Sequence, residues 1–240
     1  MKIQNNIIVA LDFPTPENAF RLVEDLDSSI DWYKIGPTLF TQHGHDIIRF
    51  LHRKNKKIFV DLKLHDTPRV VTQTLRQFVD LGVSFATVHC LGGRTMLTAA
   101  AQACRGSQLK LLGVTLLTSH TTEDVRELGL GETEDGDLIS IVQKYVSLAI
   151  QSRLSGVLCS PHEVAATRNI SPPGFLIVTP GVRLPDQSIF DDDQMRFASP
   201  GEALAWGSDY LVMGRPFMQT RNPDAVLTQL REDLERHRSL

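Results

Sequence analysis

Asn6-Ile-Ile-Val-Ala-Leu-Asp12, followed by Phe13-Pro-Thr-Pro-Glu17, decides between two ways of building an α/β chain. The first seven residues form a nearly unbroken apolar run ending on an acid, the pattern of a strand covered by helices on both faces. Thr15 and Pro16 then offer a helix N-cap and a proline at the first helical position. An open, doubly wound sheet that binds a dinucleotide would need a glycine-rich phosphate loop at this joint. Residues 12–17 contain no glycine. The joint therefore favours a closed barrel.

Working outward, the same unit recurs. Strands are expected at Asn6–Asp12, Asp31–Gly36, Lys57–Lys63, Ser84–Cys90, Leu109–Leu117, Gly156–Ser160, Phe175–Thr179 and Asp209–Gly214. Helical spacing fills the intervals at Thr15–Leu26, Pro37–Lys54, Pro68–Leu81, Gly93–Cys104, Asp137–Leu154, Pro161–Arg168, Ser199–Trp206 and Pro223–Arg236. No Gly/Ser linker, charge block or low-complexity tract breaks the alternation, so residues 1–240 read as a single domain. The expected fold is a (β/α)8 TIM barrel.

Composition narrows the function. Lys+Arg number 25 against 28 Asp+Glu, a net charge of −3, and that near balance argues against a broad basic face of the kind that binds nucleic acid. The polar Met1–Asn6 and the short apolar run Ile7–Leu11 fit neither a signal core nor a membrane span, and the expected location is cytoplasmic. Cys90, Cys104 and Cys159 are odd in number and lack a Cys-x-x-Cys pair, so they are expected as free, reduced, buried thiols.

In a barrel the chemistry collects at the C-terminal ends of the strands. Those positions carry Asp12, Lys34, Asp61 with Lys63, His89, Thr118, Ser160, Pro180, and Gly214 with Arg215. The densest group is Asp61-Leu-Lys-Leu-His-Asp66. On an extended strand residues i and i+2 point the same way, so Asp61 and Lys63 share a face, and Asp66 follows in the loop. With Lys34 they make four charges of alternating sign whose pairing favours cationic lysines and ionised acids. The bland alternative is a structural salt-bridge cluster at a barrel mouth. Strand seven ends in Thr179-Pro-Gly-Val-Arg183 and strand eight in Met213-Gly-Arg-Pro216, the place where barrels commonly hold phosphate.

Other features have plainer readings. His43 and His45 lie two apart on a helix and face different sides, which makes a poor metal site. Asp191-Asp-Asp193 lacks the spaced ligands of a calcium loop and reads as a solvated loop. His89 either lines the pocket floor or is a buried, hydrogen-bonded structural histidine.

Taken in order, Val9-Ala-Leu-Asp12, Tyr33-Lys-Ile-Gly36, Asp61-Leu-Lys-Leu-His-Asp66, Leu117-Thr-Ser119, Val178-Thr-Pro-Gly-Val-Arg183, Asp193-Gln194 and Met213-Gly-Arg-Pro216 resemble the bacterial-type orotidine 5′-phosphate decarboxylases. The resemblance spans about residues 6 to 220 and implies the following roles. Lys63 would protonate C6 of the pyrimidine, with Lys34, Asp61 and Asp66 completing its charged network. Asp12 and Lys34 would bind ribose hydroxyls, Thr118 the pyrimidine, and Arg183, Gln194, Gly214 and Arg215 the phosphate end. Asp66 would reach into a partner's site across the interface of an obligate homodimer. One departure stands out. The family usually reads Ile-Pro-Asn-Thr after the second aspartate, whereas here Thr67-Pro-Arg-Val70 places Val70 where a threonine hydroxyl often meets ribose. Thr67 and Arg69 are the neighbours open to replacing that contact.

The expected activity is thus decarboxylation of orotidine 5′-monophosphate to uridine 5′-monophosphate without metal or cofactor, since no flavin, nicotinamide or pyridoxal motif is present. The segments Gly181–Arg196 and Ser119–Gly136 are expected to act as lids over the ligand. Two rivals share parts of the pattern: a magnesium-dependent aldolase or decarboxylase of keto-sugar phosphates, and a non-catalytic nucleotide-binding barrel.

Overall fold

The computed structural model describes residues 6–130, 138–184 and 198–238. Eight parallel strands close into a barrel in chain order: β1 (Ile7–Ala10), β2 (Trp32–Ile35), β3 (Lys57–Leu64), β4 (Phe85–His89), β5 (Lys110–Val114), β6 (Gly156–Leu158), β7 (Leu176–Thr179) and β8 (Tyr210–Met213). Ile8 pairs with Trp32 on one side and Val212 on the other, which shuts the ring. All eight expected strands are present. Most lose one to three residues at an end, while β3 runs one residue further than expected.

The helices outside the barrel are α1 (Pro16–Asp25), α2 (Pro37–Arg53), α3 (Pro68–Asp80), α4 (Gly93–Ala103), α5 (Thr122–Glu127), α6 (Leu138–Gln151), α7 (Val164–Ile170), α8 (Pro200–Ala205), α9 (Arg215–Met218) and α10 (Pro223–Arg238). Prolines open α1, α2 and α3, where a missing N–H does no harm. Thr15 has the extended backbone of an N-cap, but its side chain makes no capping hydrogen bond. The short α5 and α9 were not expected. Helix α5 lies within the Ser119–Gly136 segment and is held by a capping box between Thr121 and Asp124.

Side-chain alternation along the strands sorts the core into two layers. Ile8, Ala10, Phe59, Phe85, Leu112, Leu158, Val178 and Val212 fill the barrel interior. Their sequence neighbours pack outward under the helices, as Ile7, Val9, Ile58 and Val60 do. At the N-terminal end of the barrel Trp32, Phe85 and Tyr210 form an aromatic plug, with ring centroids 4.3, 5.2 and 5.3 Å apart. The same alternation continues towards the other end. Trp32 is followed two residues on by Lys34, Phe59 by Asp61, and Ala10 by Asp12, so the inward row changes from apolar to charged as it approaches the mouth.

Cys90, Cys104 and Cys159 are buried thiols in no disulfide, and burial pushes the Cys90 thiol up to about 12 and Cys104 up to about 11, so neither of these two is a ready nucleophile.

Candidate active site

The charged row opens into a cavity of about 370 Å³ at the C-terminal end of the barrel. Lys34 Nζ donates to Asp12 Oδ1 at 2.9 Å and lies 3.7 Å from Asp61 Oδ2. Lys63 Nζ donates to the same Asp61 oxygen at 2.9 Å. The four groups form a chain, acid, lysine, acid, lysine, running from β1 to β3. Its fourth member is Asp12, where Asp66 was expected. Asp66 is exposed just beyond β3, and its Oδ1 accepts from the Thr67 backbone N–H at 2.6 Å. Neither Asp66 nor Thr67 lines this cavity.

Burial sets the charge states at the inner end. Desolvation alone would push Asp61 up, but Lys34 and Lys63, with hydrogen bonds from Lys63 and Thr87, hold it below the usual carboxylate range. Desolvation would likewise lower Lys34, yet Asp61 and Asp12 outweigh it and keep its ammonium above the usual lysine range. A buried pair of this kind contributes little net stability while imposing a heavy penalty on losing either partner.

Asp61 and Lys63 do converge, but not by strand alternation. Between the pairs Val60–Ala86 and Leu64–Val88, β3 advances four residues while β4 advances two, so β3 bulges. Lys63 sits in the bulge with φ at 49°, in the left-handed region. For a residue with a Cβ this conformation costs about 1–3 kcal/mol and persists only when its surroundings enforce it. Here the Lys63 N–H donates to Thr87 Oγ1 at 2.8 Å, and Thr87 Oγ1 lies 3.0 Å from Asp61 Oδ1. Thr87 was missed at the level of sequence. A polar residue at inward parity within Phe85-Ala-Thr-Val-His89 was the available signal.

The rest of the cavity wall combines Thr118, Pro180, Gly181, Arg183, Gly214 and Arg215 with the apolar Val114, Leu116, Leu158 and Val212. Gly181 has φ at 81°, a turn that a side chain would strain. It brings Arg183, itself largely buried, round to the cavity after β7. Gln194 and Asp191–Asp193 lie outside the described residues.

His89 and Ser160 do not line the cavity. His89 is buried, its Nδ1 accepts from the Leu91 N–H at 3.3 Å, and its ring stacks on His65 at 5.7 Å. Burial, helped by His65, His120 and Lys63, pushes it down to about 4 and keeps it neutral. Of its two readings, the structural one holds. Ser160 is buried, and its N–H is bonded by Glu163 Oε2 at 2.9 Å. His43 and His45 lie on α2, and no cluster of three metal-ligating side chains exists among the described residues.

Fold and site together define a closed parallel (β/α)8 barrel with an alternating lysine–aspartate chain at its mouth. Residues 5–230 match the model of the Orotidine 5'-phosphate decarboxylase / HUMPS family, and the chain belongs to that family. It is 43% identical over 230 residues to the orotidine 5'-phosphate decarboxylase of Nitrosospira multiformis, covering 95% of this chain and 93% of the relative. The orotidine 5'-phosphate decarboxylase of Desulfosudis oleivorans is 38% identical over 231 residues, covering 95% and 92% of the two chains. Among solved structures, the orotidine 5'-phosphate decarboxylase of Lactobacillus acidophilus superposes with a TM-score of 0.81 at 32% identity, covering 96% of this chain and 99% of that one.

Proposed function

We propose that the chain decarboxylates orotidine 5′-monophosphate to uridine 5′-monophosphate in pyrimidine biosynthesis, with Lys63 as the acid that protonates C6. The observation that carries this reading is the Asp12–Lys34–Asp61–Lys63 chain, which faces a cavity that also holds Arg183, Gly214 and Arg215. Loss of carbon dioxide leaves negative charge on a ring carbon that no carbonyl delocalises. An ammonium about 3 Å away, at an effective dielectric of about 20, stabilises that charge by about 5.5 kcal/mol, or about four powers of ten in rate. Demanding enzymatic reactions need up to about 23 kcal/mol, so the larger part must come from preorganisation and from remote binding of the phosphate.

In this reading Asp12 and Lys34 hold ribose hydroxyls, Thr118 the pyrimidine, and Arg183, Gln194, Gly214 and Arg215 the phosphate. Asp61 orients Lys63 and lies near the departing carboxylate. Asp66, with Thr67 beside it, serves the partner's site in a cytoplasmic homodimer. Its exposure, with the neighbouring Val70 43% and Leu91 36% exposed, supports a covering subunit at this surface. No helix among the described residues is long and apolar enough to cross a membrane.

The donor set speaks against a magnesium-dependent reaction of the same superfamily. Asp61 Oδ1 is bonded by Thr87 and Oδ2 is shared by two lysines, whose charges repel a divalent cation. An ultraviolet assay with orotidine 5′-monophosphate, run with and without EDTA, tests the proposal. Turnover indifferent to the chelator is expected. Turnover abolished by EDTA would favour the metal-dependent rival, and binding without turnover the non-catalytic barrel.

A further inference from the structure

Thr87 is 1% exposed and stands in the middle of β4, outside the cavity lining. A threonine hydroxyl has one proton to donate and two lone pairs to accept with. Both functions are engaged with groups of the charged chain: Oγ1 accepts from the Lys63 N–H and donates to Asp61 Oδ1. It is the group on β4 that ties together the two members of the bulge in β3. Without it, the buried Asp61 would lose one of its hydrogen bonds, and the Lys63 amide would lose the acceptor that fits its left-handed backbone.

We infer that Thr87 is a positioning residue for proton delivery: its hydroxyl clamps the β3 bulge so that Lys63 Nζ and the Asp61 carboxylate face the reacting carbon in fixed relation. The inference rests on the decarboxylase reading and adds to it a residue that touches neither substrate nor the reacting atoms. The same hydroxyl helps hold the Asp61 carboxylate below its ordinary range. Its removal therefore raises Asp61 and moves the acid limb of the rate profile to higher pH.

Thr87→Val keeps the shape and deletes the hydroxyl, while Thr87→Ser keeps the hydroxyl and deletes a methyl group. For Thr87→Val, kcat is expected to fall about 10- to 100-fold, the kinetic equivalent of losing a hydrogen bond to a charged group, with KM changed less than about threefold. Thr87→Ser is expected to remain within about threefold of the unaltered chain. A folded Thr87→Val protein with full kcat and an unmoved acid limb would overturn the inference. So would a Thr87→Ser protein as impaired as Thr87→Val, because the methyl would then be what matters.

If Thr87→Val does not fold, hydrogen exchange of the Lys63 amide in the unaltered chain decides instead. Strong protection is expected, and exchange at the rate of an open loop would sink the idea. An unaltered chain with no decarboxylase activity would count against the functional reading alone. The amide exchange and a carbon-detected titration of Asp61 in Thr87→Val beside the unaltered chain would then still test the clamp.

Discussion

Gly36 and Asp12 compete for one space: a Cβ on Gly36 would overlap Asp12 Oδ1 and stand 3.2 Å from Lys34 Nζ. Gly36 has ordinary extended backbone, with φ at −91°, so an alanine there is not strained in itself. What must yield is the tip of a side chain, and that tip is the outer end of the charged chain. Gly36→Ala is therefore expected to leave the melting temperature nearly unchanged while lowering kcat/KM by about 10- to 100-fold, as the Asp12–Lys34 pair is pushed aside. Steady-state kinetics beside a thermal melt check this. Full kcat/KM would remove Asp12 from the ribose contacts.

Lys63→Ala is expected to abolish measurable turnover, a loss of about four powers of ten or more, in a protein that still folds. Its side chain is 36% exposed, and Asp61 retains Lys34 and Thr87 as partners. If Asp66 serves the partner's site, mixing inactive Lys63→Ala with inactive Asp66→Ala subunits restores activity. Each mixed dimer then holds one intact site, so equal mixing approaches about one native site in four. No recovery after verified subunit exchange would place Asp66 outside the partner's site.

The cavity wall that carries Arg183 and Arg215 predicts a kinetic signature. If binding at Arg183 and Arg215 supports the transition state as well as the ground state, orotidine without its phosphate should show a lower kcat together with a higher KM. A raised KM with full kcat would mean that the phosphate only anchors the substrate.

His89 makes stability depend on pH. Burial, with His65, His120 and Lys63 nearby, pushes the folded imidazole down to about 4 from the ordinary histidine value of about 6.5. As pH falls through about 6.5 the unfolded chain takes up a proton that the folded chain refuses until about 4. The stabilisation is present above that window and drains away within it on acidification. Melting temperatures between pH 7 and pH 4.5 should fall more steeply for the unaltered chain than for His89→Asn, which keeps an acceptor for the Leu91 N–H. Parallel slopes would assign the acid sensitivity elsewhere.

The alternation of strands and helices was legible in the sequence because buried parallel strands are continuous apolar runs and helices are not. The positions of Asp12, Lys34, Asp61 and Lys63 at strand ends were legible for the same reason. How they pair was not. Asp12 meets Lys34 because Ala10 pairs with Lys34 across β1 and β2, a stagger that only the closed barrel fixes. Strand alternation brought Asp61 and Lys63 to one face on paper, whereas the molecule uses a bulge and a left-handed lysine, which nothing local in Asp61-Leu-Lys63 announces. His89 stood open between two readings, pocket floor and structural histidine, because its strand-end position fits both; its hydrogen bond with the Leu91 N–H gives it a structural task.

The aromatic plug of Trp32, Phe85 and Tyr210 has a bearing on traffic. With the floor packed in this way, the nucleotide and both products of the proposed reaction share the mouth that the charged chain lines. Carbon dioxide set free at the mouth has the packed interior behind it, so in the proposed reaction its way out passes the nucleotide. Until it escapes it remains a neighbour able to recombine, so under the proposed mechanism the proton from Lys63 must arrive before the gas returns. The enzyme's commitment to product would then be settled by a race at the barrel mouth.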